Sequence, residues 1–148
     1  MIEFAAAAGI LIPLLLGTFQ FGYTFYVYNV LCTQMRAGAR YASLKKFKGS
    51  DVSGFKTSVK NMVLYGDPYA AAGSKVLEPG LTANQIDVEV KASDGTTDAS
   101  ATVVPTTVWV TTAGGDNGYA VDAVITKFTF SGKPIVTFPY VGQYAPAE

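Results

Sequence analysis

The chain has 148 residues, 49% of them hydrophobic and 15% charged, with eleven basic side chains against eleven acidic ones. That composition excludes a disordered, solvating chain, and the balanced charge gives no reason to expect a nucleic-acid partner. Histidine is absent and Cys32 is the single cysteine, which excludes His-based triads, His-metal centres and an intrachain disulfide.

Length fits one domain with an appendage, and the charge is unevenly placed along it. Residues 1–60 carry a net +5 and residues 61–148 a net −5. Two solvated surfaces of opposite sign account for this, and so does head-to-tail attraction between copies of the chain.

From Phe4 to Met35 there is no Asp, Glu, Lys or Arg. About 20 apolar residues suffice to cross a hydrocarbon core of about 30 Å, so the segment qualifies as a membrane span. Gln20, Asn29, Gln34 and several tyrosines make its second half more polar. The basic residues from Arg36 to Lys46 follow it, which by the positive-inside rule favours a cytoplasmic C-terminal side. A cleavable signal peptide fits poorly, because Glu3 stands where a basic region belongs and the apolar run is too long.

The helical pattern continues past Met35 to Phe47. A single helix from about Ile2 to Lys46 would be about 65–70 Å long, with Pro13 interrupting or kinking it and Gly49-Ser50 ending it. Its aromatic residues Phe19, Phe21, Tyr23, Phe25, Tyr26 and Tyr28 point all round the axis. Its small residues Ala5 to Gly9, Gly17, Gly22 and Ala37 to Ala39 permit close helix approach. A helix apolar all round must be buried, and this mixture suits a surround of other helices better than lipid alone.

Residues 51–65 place Val52, Phe55, Val59 and Met62 at helical spacing, with Ser50 or Asp51 as cap and Gly66 beyond the end. Residues 66–84 read as loop. Then the period becomes two: Ile86, Val88 and Val90 alternate with Asp87, Glu89 and Lys91 in a half-buried strand. Asp94-Gly95 signals a turn. Residues 101–111 form a second β-rich run in which Pro105 forces an edge or a break. A turn at 114–118, a third strand over 119–130, a turn at Ser131-Gly132 and a fourth strand within 134–141 complete the pattern. It predicts an antiparallel sheet packed on the far half of the long helix.

Chemical motifs are mostly absent. Gly114-Gly115 lacks the rest of a phosphate loop, and Asp94 and Asp98 do not fit a calcium loop. Asp87 and Glu89 are expected to face solvent, and Cys32 to be a buried, inert thiol. No nucleophile–base pair is recognisable, so an enzyme is not expected. Glu3 is the exception to a bland reading. A charge beside a long apolar run is costly to bury unless paired, and a free α-amino group on a register-shifted neighbour is a candidate partner. A position at the membrane surface serves equally.

Gly17-Thr-Phe-Gln-Phe-Gly22-Tyr-Thr-Phe-Tyr26-Val-Tyr28-Asn29, followed by Arg36-Ala-Gly-Ala-Arg40-Tyr-Ala42, resembles the TadE-like pseudopilins of tight-adherence, type IVb-like pilus systems. Ile2-Glu3-Phe4-Ala5 resembles the Val-Glu-Phe-Ala that opens their mature helix. Pro13 with the following Leu run resembles their Pro-Leu-Leu element. Glu3 and Pro13 lie further apart than is usual there, by about one helical turn or about 6 Å, which keeps the proline on nearly the same face.

The resemblance implies a type IV pilin-like subunit that is inserted in the inner membrane, cleaved by a prepilin peptidase and packed by its N-terminal helix into a helical filament. The early-glutamate role in cleavage and registry would fall on Glu3, near Met1. The expected fold is α+β: a long N-terminal helix, 1–48, serving as anchor and filament core, then a small antiparallel β-rich head, 49–148, with one short helix. The residues expected to act in assembly are Met1, Glu3, Phe4, Pro13, Gly17, Gly22, Tyr26, Tyr28, Arg36 and Arg40. No cofactor or metal is expected. The expected setting is the inner membrane first, with its assembly machinery, and an extracellular homo-oligomeric pilus afterwards. The rival expectation is a single-span anchored β domain, or a minor pseudopilin, that binds a partner without polymerising.

Overall fold

The computed structural model describes residues 2–71, 73–94, 96–97, 104–122 and 126–145. Helix α1 spans Ile2–Leu44 and contains Pro13. The proline does not interrupt the helix, which rules out the first of the two expected outcomes, interruption or a kink. Its missing N–H removes one bond from a helix that continues on both sides. The helix stops at Leu44, before Gly49-Ser50, because the chain turns into a two-residue strand β1, Phe47–Lys48.

Helix α2, Val52–Tyr65, is capped at both ends as the residue types dictate. The Asp51 carboxylate accepts from Gly54 N–H at 2.9 Å. Gly66 takes a left-handed φ of 73° and returns its N–H to the Met62 carbonyl at 3.1 Å. Its buried face is Phe55, Val59, Val63 and Leu64, with Met62 half-buried.

The main sheet has three antiparallel strands: β2 (Ile86–Ala92), β3 (Pro105–Thr112) and β6 (Ile135–Pro139), in the order β2-β3-β6. Pro105 is tolerated because it opens β3. It pairs with Ala92 across a register shift at Lys91/Ala92 and lies outside the β3–β6 pairing, which begins at Thr107. The single strand expected over 119–130 is instead two, β4 (Tyr119–Asp122) and β5 (Lys127–Phe130), paired antiparallel as a separate hairpin. Residues 123–125, like 101–103, Gly95 and Asp98, lie outside the described residues. The last strand, β7 (Tyr144–Ala145), pairs in parallel with β1.

The core is shared by helix and sheet. Val27, Leu31, Met35, Ala39 and Ala42 recur every three or four residues of α1, and all are fully buried. They meet Phe55, Val59 and Val63 of α2, Ile86, Val88 and Val90 of β2, and Val108 and Val110 of β3. Each such side chain contributes on the order of 1.5–3 kcal/mol through removal from water. Gly38 lets α2 approach closely, since a Cβ there would collide with Val63 Cγ2.

At the far end of α1 one hydroxyl gathers three segments. Tyr140 Oη accepts from Phe47 N–H at 2.8 Å and faces the carbonyls of Gln143 at 2.8 Å and Lys45 at 2.9 Å. The Phe47 ring beneath it packs edge-on against Phe55 at 5.2 Å. The buried Ser43 hydroxyl donates to the Pro139 carbonyl at 2.6 Å, and Val141 N–H to the Ser43 carbonyl at 3.0 Å, so β6 is fixed to the helix.

Candidate assembly interface

The two halves of α1 differ in what covers them. From Ile2 to Phe19 no described residue is buried, and only Ala8, Leu16 and Gly17 are partly covered. None of the most apolar eighteen-residue window is buried, and the helix is long and apolar enough to cross a membrane. Phe4 is 81% exposed and Ile10 71%. Burial begins at Gln20, whose side-chain amide donates to the Thr126 carbonyl at 2.8 Å. Thus, among the described residues, the chain's own head buries one stripe of α1 from Gln20 onward and no residue before it.

Three small residues of the helix, Gly9 and Gly17 in the bare half and Gly22 just beyond it, present open space. A Cβ built at any of them meets nothing within 4 Å, in contrast to Gly38. Among the described residues those glycines serve no packing need, and each costs roughly 1 kcal/mol of helix stability relative to alanine.

The residues singled out from sequence are distributed along the whole helix rather than gathered in one pocket. Met1 lies outside the described residues. Glu3, Phe4 and Pro13 are exposed near one end, Gly17 is half-covered and Gly22 exposed. Tyr26 is 63% exposed. Tyr28 turns toward the head, its ring 5.5 Å from Phe130. Arg36 and Arg40 are exposed on the side of α1 away from the core. Tyr26, Asn29, Val30, Thr33 and Gln34 line a shallow groove of about 300 Å³ on α1. Gln34 Oε1, at its margin, is a buried oxygen without a hydrogen-bond partner.

Sequence reasoning missed Gln20 as a contact residue. The signal was present, since a glutamine within a charge-free run needs a partner once buried. Cys32, expected to be buried, is half-buried. The reason is helical phase: it adjoins the covered stripe at Leu31 and Met35 without being on it.

The head's buried titratable group is Glu78. Burial raises its carboxyl above the ordinary range, and the Tyr119 hydroxyl lies 3.4 Å from Oε1 while donating to the Pro79 carbonyl at 2.9 Å. The same burial, together with Glu78, pushes the Tyr119 phenol up to about 12. Tyr119 is anchored by a backbone carbonyl, and the pair joins the 66–84 loop to β4. Among the described residues no group of three or more His, Cys, Asp or Glu side chains could hold a metal ion.

Residues 1–40 match the model of a family described as TadE-like protein. The match covers the bare half of α1 and most of the covered half, and ends before the head. No curated protein and no solved structure matches the chain. Over residues 1–40, then, the chain is similar to TadE-like proteins.

Proposed function

We propose that this chain is a structural subunit of an extracellular Tad-type, type IVb-like pilus, polymerising through the N-terminal part of α1. The observation that carries the reading is the apolar helix from Ile2 to Phe19, none of which is buried among the described residues. Such a surface is not left in water. Lipid covers it in the inner membrane before assembly, and neighbouring helices cover it in the filament. Its glycines then gain a use, as places where other helices approach.

In this reading residues 1–48 are anchor and filament core, and 49–148 are the head on the outer surface. Residues 27–44 belong to both, being the stalk on which the head is built. In the filament Glu3 would meet the α-amino group of a neighbouring copy and set register; before assembly it would lie at the membrane surface. Prepilin peptidase and the pilus assembly machinery are the expected partners.

The test is electron microscopy of filaments sheared from cells, with mass spectrometry of their content. Glu3→Ala and Gly22→Leu should abolish filaments while the near-UV circular dichroism of the head is unchanged. Normal filaments from either variant overturn the assembly mechanism. The chain found only in membrane extracts, with no filament containing it, would instead establish an anchored domain or minor pseudopilin.

A further inference from the structure

We propose that the β4–β5 hairpin is a lipid-contacting foot: before assembly, Phe128 and Lys127 lie in the interfacial layer of the bilayer, beside the point where α1 leaves it. This rests on the membrane-anchored reading of α1, whether or not the chain later polymerises.

The helix supplies the ruler. Phe4 to Phe21 covers about 26 Å at about 1.5 Å per residue, close to the hydrocarbon thickness of about 30 Å. The head's cover begins at Gln20, so no spacer separates the span from the head. The hairpin is fixed at that level by two contacts: Gln20 Nε2 donates to the Thr126 carbonyl at 2.8 Å, and the Phe21 and Phe128 rings lie 6.5 Å apart.

The hairpin's own surface has the matching chemistry. Strand β5 is exposed at Lys127, Phe128 and Thr129, on both of its faces, whereas β2 and β3 alternate buried and exposed positions. Phe128 is 37% exposed and adjoins Phe21, which is 59% exposed, so the apolar surface of the span continues onto the hairpin. Aromatic rings prefer the boundary between hydrocarbon and headgroups, and a lysine there extends its amine to water. Lys127 Nζ is 3.6 Å from Asp122, so the foot is close to neutral, and its contact should not require anionic lipid.

The placement also changes how the basic residues after the span are read. Arg36 stands fifteen residues beyond Phe21, about 22 Å along the helix, and Lys45 about 36 Å along it. The basic cluster is carried up the stalk, and the hairpin brings Lys127 next to the span instead.

The experiment uses the full chain in phosphatidylcholine vesicles whose acyl chains are brominated at shallow or at deep positions. Phe128→Trp is made with Trp109 retained, and the quenching added above the parent is read. Phe21→Trp reports insertion of the helix. The expected result is strong quenching of Phe128→Trp by the shallow bromines, several-fold weaker quenching by the deep ones, and no change when anionic lipid is added. Quenching at position 21 without quenching at position 128 overturns the foot, including the case where a second copy shields it. Absence of quenching at both positions overturns the membrane-anchored reading itself, and the foot with it.

Discussion

The two halves of α1 have the same kind of sequence and opposite fates. Residues Phe4 to Phe19 and Val27 to Met35 are both free of charged side chains, yet none of the first stretch is buried and the second presents Val27, Leu31 and Met35 to the core with no exposed surface. The difference teaches that apolarity commits a helix to being covered but does not name the cover. In one half the cover is the chain's own α2 and sheet; in the other no described residue of the chain supplies it, and in the proposed function it comes from outside the chain.

The comparison is sharpest at a leucine on each side. Leu31→Ala should cost the head roughly 2–5 kcal/mol, because it empties a fully buried position. Leu11→Ala, at a side chain 62% exposed, should leave head stability within roughly 0.5 kcal/mol. Urea unfolding in detergent, followed by Trp109 fluorescence, measures both. A comparable loss from the two would erase the distinction between the halves.

Tyr140→Phe tests how firmly the covered half is held at its far end. It removes one of the two acceptors of Phe47 N–H, which also donates to the Gln143 carbonyl at 2.9 Å, and takes a hydroxyl from two carbonyls, at an expected cost of about 1–2 kcal/mol. Hydrogen exchange should rise first at Phe47. Exchange unchanged there would mean that the Gln143 carbonyl and ring packing suffice to fix β1 without the hydroxyl.

The glycines give a smaller and opposite pair of effects. Gly38→Ala should destabilise the head by about 1–3 kcal/mol through the clash with Val63, less about 1 kcal/mol of gained helix propensity. Gly22→Ala meets open space and should raise isolated helix stability by up to about 1 kcal/mol. Thermal unfolding of both variants reads the sign, and equal signs would contradict the asymmetry of contact.

The smallest effect is a pH dependence. Because burial raises the Glu78 carboxyl in the folded head, folding favours its protonated form. That stabilisation is fully present below the unfolded value of about 4.5 and is lost as pH rises through the higher folded value. The head should therefore melt at a higher temperature at the acid side of this window, relative to Glu78→Gln, which removes this contribution. A difference between the two that does not vary with pH would show that the Glu78 carboxyl does not titrate differently on folding.

Local rules reached a good part of the structure. The caps of α2, Asp51 and Gly66, follow from residue chemistry alone, as does the two-residue alternation of β2. Gln20 in α1 could have been marked as a contact point. The hairpin at 119–130 could not be read from periodicity, because Tyr119, Val121, Phe128 and Phe130 keep a strand-like composition across the break. Nor could the parallel pairing of Phe47 with Tyr144, which joins residues nearly a hundred positions apart.

The sequence by itself determined the long helix, the short capped helix, the β character of the rest and the absence of histidine and disulfide chemistry. Those depend on residue type and on spacings of two to four, which are local properties. Only the tertiary structure decided which stripe of α1 is covered, where that cover begins, that β6 reaches past the hairpin to pair with β3, and that Phe128 stands beside Phe21. Those depend on long-range contacts, whose energies arise when distant apolar faces and unpaired backbone groups meet, and no local pattern specifies the partner.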